Sequence, residues 1–161
     1  MKSTKALLDT IEKSINQKIE LFEQLQALTL KQAQLLEVEE IDLTSFEELL
    51  DSKDSHIQQL DQIDEALSSI LETNQHLLSS GLEAHNDLIN QIKILLEQLT
   101  TLGQEIGKIE GTNKERLDQY FNNTKEDIRS FKKSKQAASK YNQNMSNSHQ
   151  SDMSYFMDRK K

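Results

Sequence analysis

Four histidines, His56, His76, His85 and His149, are the side chains of this sequence best suited to hold a metal or move a proton. None stands at a ligand spacing from another, and no HExxH turn places two imidazoles on one helical face. Carboxylates are abundant, but no motif gathers a pair of them into a pocket, as general acid–base work requires. A GxxxxGK[ST] loop and a GxGxxG turn are both absent, so nothing would cradle a phosphate. With no cysteine there is no thiol nucleophile, disulfide or thiolate metal site, a composition that fits a reducing compartment. The residues therefore predict no enzyme, no metal site and no cofactor.

What remains is recognition by shape and charge. The 161 residues are 35% apolar and 29% charged, with no Trp, which is thin for a sheet core and ample for helices joined along narrow seams. Net charge is −8, which argues against nucleic acid as a partner, because phosphate binding needs cations to displace counterions. Asp9, Glu12 and Lys13 interrupt any apolar leader, and no run approaches the ~20 residues that span a bilayer, so a cytosolic protein without membrane insertion is expected. The sign of the charge varies along the chain. Glu37 to Glu65 holds eleven acids against Lys53 alone, whereas Lys114 to Lys140 holds eight bases against four acids. These are either two solvated faces or two regions that attract each other or orient a partner.

The elements follow from apolar spacing. Leu8, Ile11, Ile15, Ile19, Phe22, Leu25 and Leu28 recur at steps of three and four, one face of a first helix over about 4–37 that Ser3 or Thr4 can cap. Thr44-Ser45-Phe46-Glu47 reads as a capping box opening a second helix over about 45–75, with its seam on Phe46, Leu49, Leu50, Ile57, Leu60, Ile63, Leu67, Ile70 and Leu71. A turn around Gly81 follows, and Asn86 can cap a third helix over about 86–140. Its seam, Ile92, Leu95, Leu99, Leu102, Ile106, Ile109, Asn113, Leu117, Tyr120, Thr124, Ile128 and Phe131, averages near 3.5 residues per turn, the coiled-coil period. The expected fold is all-α: an elongated antiparallel three-helix bundle over 1–141, with an overhanging last helix and a flexible tail over 142–161.

Gly103, Gly107 and Gly111 lie inside that last helix, in a chain with four glycines and no proline. Each costs about 1 kcal/mol relative to alanine in a helix. Gly111 with Thr112 and Glu115 could end the helix and cap a fourth, but the seam crosses Asn113 to Leu117 without slipping, which favours one long helix. Helices of about 30 residues are ~45–50 Å long, and 86–140 would run ~80 Å, leaving an overhang of about twenty residues. The glycines then mark a deformable joint before a partner-facing arm, whose apolar anchors are Leu117, Tyr120, Phe121, Ile128 and Phe131. Tyr120 and Phe121 are adjacent and cannot both enter one seam. In the tail, Met153, Tyr155, Phe156 and Met157 beside Arg159, Lys160 and Lys161 form a candidate docking motif after a polar spacer.

This layout resembles the FlgN family of flagellar export chaperones, with FliT-type chaperones a near second. The resemblance is carried by SKDSHIQQLDQID (52–64), LEQLTTLGQEIGKIEGTNKERLDQY (96–120) and the ending YFMDRKK (155–161), and it covers most of the chain. It implies a cytoplasmic, non-enzymatic chaperone that binds the assembly-prone terminal helix of hook-filament junction (hook-associated) proteins and delivers them to the type III export apparatus. Client binding in the family lies on the C-terminal helical part, which falls on Leu117 to Phe131 here. The alternatives are a self-associating coiled coil, with Asn113 fixing register, and an adaptor that uses only its tail. A weak homo-oligomer is compatible with either.

Overall fold

The structure, a computed structural model, describes residues 3–124, and every element among them is helical. Helix α1 (Thr4–Leu35) is followed by α2 (Leu43–Thr73), a short α3 (Gln75–Gly81), a 3-10 turn (Leu82–His85) and α4 (Asn86–Thr124). Ser3 caps α1 by accepting from the Ala6 amide at 3.2 Å. Asp42, not Thr44, caps α2. Its carboxylate accepts from the Ser45 amide at 3.1 Å and the Ser45 hydroxyl at 2.7 Å, contacts that hold it below the usual carboxylate range. Asp outcompetes Thr because two acceptor oxygens can serve both Ser45 donors at once.

The boundaries differ from expectation at both ends of α2. It runs from Leu43 to Thr73 rather than 45–75, and α1 stops at Leu35 rather than 37. The turn expected around Gly81 is itself helical. Its tightness follows from Gly81, where an added Cβ would run into the Thr4 side chain, so the absence of a side chain lets α3 press against the start of α1. Helix α4 passes Gly103, Gly107 and Gly111 without interruption, so no fourth long helix starts at Thr112. The last part of the expected 86–140 helix and the tail lie outside the described residues.

Residue partnerships fix the arrangement. Lys18 pairs with Asp64, and Lys53 meets Gln32, so α2 runs antiparallel to α1. Thr4 lies against Gly81, Gln26 against Glu105 and Thr29 against Asn113, so α4 runs parallel to α1. The molecule is an up-down-up three-helix bundle in which α1 packs closely on both long neighbours.

Its apolar interior is in two parts. The larger holds Leu8, Ile11, Ile15, Phe22 and Leu25 of α1, Leu60 and Leu67 of α2, Leu78 of α3 and Ile92, Leu96, Leu99 and Ile106 of α4. The smaller sits at the tip of the α1–α2 hairpin, where Leu36, Ile41, Phe46 and Leu50 enclose Leu117 and Phe121. Full burial of one such side chain is worth about 1.5–3 kcal/mol.

Gly107 and Gly111 face open space, with nothing within 4 Å of an added Cβ. A shallow groove for a neighbouring backbone therefore does not explain them. Gly107→Ala and Gly111→Ala are each expected to raise stability by ~0.5–1 kcal/mol in urea unfolding, through helix propensity alone. No gain at either position would contradict a packed-free helical backbone there.

Candidate functional site

The anchors expected on a partner-facing arm divide by position. Leu117 and Phe121 are 2% and 4% exposed, buried by the hairpin tip, which corrects the expectation that they lack a mate within the chain. The reason is the connection between α1 and α2. Leu36 and Ile41 are apolar and fold inward, so the hairpin reaches further along α4 than the lengths of its helices suggest. Tyr120 is half-buried and meets Phe121 edge-on, with ring centroids 5.6 Å apart at 64°. Of the two adjacent aromatics, one fills the core and the other lies at its rim. Asn122 and Asn123 are exposed. Ile128 and Phe131, and the tail candidates Met153, Tyr155, Phe156 and Met157, lie outside the described residues.

Around this tip the surface is acidic. Glu37, Glu39, Glu40, Asp42, Glu47 and Glu48 are all exposed on the hairpin end, while Lys114 and Arg116 are exposed on the α4 segment that packs into it. The fold thus brings the acidic stretch beside the start of the basic one.

Between the two apolar clusters lies a buried polar layer. Lys53 takes a seam position on α2 and is 2% exposed; its ammonium donates to Gln32 Oε1 at 2.9 Å and pairs with the Glu110 carboxylate. The Thr29 hydroxyl donates to the Leu25 carbonyl at 2.7 Å and lies 3.3 Å from Glu110 Oε1. Asn113 Nδ2 donates to the Thr29 carbonyl at 3.2 Å, so one carboxamide of α4 grips the backbone of α1. Burial pushes the Lys53 ammonium down to about 7, with the neighbouring Asp54 carboxylate acting the other way. Gln32 Nε2 and Asn113 Oδ1 are buried with no hydrogen-bond partner among the described residues. A second buried ammonium, Lys18, is paired with Asp64 at 2.5 Å within the larger cluster's span.

Of this layer only Asn113 was visible as a seam residue in the spacing. Thr29, Gln32, Lys53 and Glu110 were not, although a signal existed. Leu50, Lys53, Ile57 and Leu60 keep alternating steps of three and four, and so do Leu25, Thr29, Gln32 and Leu36, so the polar residues are in phase with the apolar ones.

No group of His, Asp and Glu able to hold a metal ion occurs among the described residues, and no helix there is long and apolar enough to cross a membrane. Gly103 is half-buried, and Gly107 and Gly111 are exposed one and two turns further along α4, at the level of the polar layer. No protein-family model, no characterised protein and no solved structure matches the chain.

Proposed function

We propose that the protein is an export chaperone of the FlgN type, which holds the amphipathic terminal helix of hook-filament junction proteins in the cytoplasm and passes them to the flagellar type III export machinery. It does so by helix-to-helix contact, without catalysis, cofactor or nucleic acid. The observation that carries this reading is the place of Tyr120, a half-buried aromatic at the rim of the hairpin tip. The hairpin encloses Leu117 and Phe121, and in the sequence Ile128 follows Phe121 by one heptad and Phe131 follows three residues later. An apolar spacing that continues in the sequence beyond this rim suits an amphipathic client helix, with Tyr120 as the first contact. Leu117 and Phe121 then support the site from inside rather than touching the client.

The buried position of Asn113, bonded to the Thr29 carbonyl of its own chain, removes the specific argument for a self-associating coiled coil through this seam. Titrating the terminal helix of a junction protein against the full chain, and against the Ile128→Asp/Phe131→Asp variant, tests the proposal. Binding by the full chain and a loss of at least ~10-fold in the variant are expected. Equal affinity for both would remove the site, and no binding of any junction helix would remove the function.

A further inference from the structure

We infer that the polar layer divides the bundle into two cooperative units, so that the hairpin tip opens as one piece while the larger core stays closed. The tip unit comprises the end of α1, the α1–α2 connection, the start of α2 and the last turns of α4. This inference stands apart from the chaperone reading and holds whatever the protein binds.

Four observations carry it. First, the two apolar clusters share no buried residue, and the level that separates them is occupied by Thr29, Gln32, Lys53, Glu110 and Asn113. Unfolding is transmitted through contiguous apolar packing, and here the contiguity is interrupted. Second, the layer is incompletely satisfied, since Gln32 Nε2 and Asn113 Oδ1 are buried without partners. Opening returns both to water and recovers their desolvation cost. Third, α4 crosses this level on Gly107 and Gly111, where nothing lies within 4 Å of an added Cβ, and their low helix propensity lowers the cost of melting the helix at that point. Fourth, the exposed acids of the tip, Glu37, Glu39, Glu40, Asp42, Glu47 and Glu48, outnumber Lys114 and Arg116 on the α4 segment beside them, so like charge surrounds six buried apolar side chains with only partial compensation. Burial also weakens the hold of the Lys53 ammonium on its proton, and with it the ion pair that spans α2 and α4.

Native-state hydrogen exchange on the full chain, followed amide by amide at rising denaturant, tests it. Amides of 36–50 and 114–121 are expected to exchange together, with protection at least ~10-fold below that of 11–25, 60–67 and 92–106 and with a smaller denaturant dependence, because less surface is exposed. A single exchange class across both regions overturns the inference. So does exchange of 114–121 alone with 36–50 fully protected, which is fraying of one helix end. In the variant Lys53→Met/Glu110→Leu/Gln32→Leu/Asn113→Leu the two classes are expected to merge, and their persistence would show that the layer is not what separates them. Should that chain fail to fold, Lys53→Met/Glu110→Leu gives the same reading with half the change.

Discussion

Glu110→Leu is expected to lower stability by about 3 kcal/mol at pH 7, measured by urea unfolding, because it strands the buried Lys53 ammonium with Gln32 Oε1 as its remaining acceptor in the layer. The reverse single change, Lys53→Met, should cost less, since Glu110 keeps 21% of its side chain exposed and can turn toward water. The double variant Lys53→Met/Glu110→Leu should recover most of the loss, and removal of both charges from a buried site can even exceed the parent by ~1–4 kcal/mol. Additive single losses would mean that the two side chains do not form a pair. The pH dependence has a definite sign. In Glu110→Leu the carboxylate no longer supports the ammonium, so burial holds the folded-state value at or below the figure of about 7. Below that pH the folded and unfolded chains both carry the proton, and the full cost is present. Above it the folded chain releases the proton, while the unfolded chain keeps it up to about 10.5. Stability of Glu110→Leu relative to Lys53→Met/Glu110→Leu should therefore rise from pH 7 toward pH 10. A flat difference over that window would place the ammonium in water.

Phe121→Ala is expected to cost about 3–5 kcal/mol and Leu117→Ala about 2–5 kcal/mol, the range for emptying a packed core position. Both side chains are almost fully covered by Leu36, Ile41, Phe46 and Leu50, with little freedom for the rim to collapse into the space they leave. Ile94→Ala, on the exposed face of α4 at 56% accessibility, is the control and should stay within ~0.5 kcal/mol. Losses at Leu117 and Phe121 no larger than at Ile94 would return those residues to a free arm and take the hairpin tip apart.

The helices themselves were legible because steps of three and four survive along α1, α2 and α4, and because one long α4 kept its phase through three glycines. What escaped were positions where polarity and phase disagree. Following apolar residues alone led from Ile15 to Ile19 and from Leu25 to Leu28, both half-buried neighbours, whereas the buried line passes through Lys18 and Thr29. A lysine is read as surface unless a carboxylate waits for it on another helix, and Asp64 and Glu110 lie 46 and 57 residues downstream of their partners. Spacing within one helix carries no information on such pairs. The tip was missed for a related reason. Ile41 sits in a connection with no period, so its part in covering Phe121 depends on tertiary packing alone. Asp42 displaced Thr44 as the cap because capping depends on where the backbone first turns, which the motif left ambiguous by one or two positions.

Because α1 and α4 point the same way, Thr4 is held at the pole where Gly81 crosses and Phe121 at the pole of the hairpin, separated by the ~45–50 Å length of a 32-residue helix. A fluorophore joined at Thr4 thus sits about the length of α1 from one joined near Phe121. Energy transfer between labels at the two poles would report on the length of the helices between them rather than on contact.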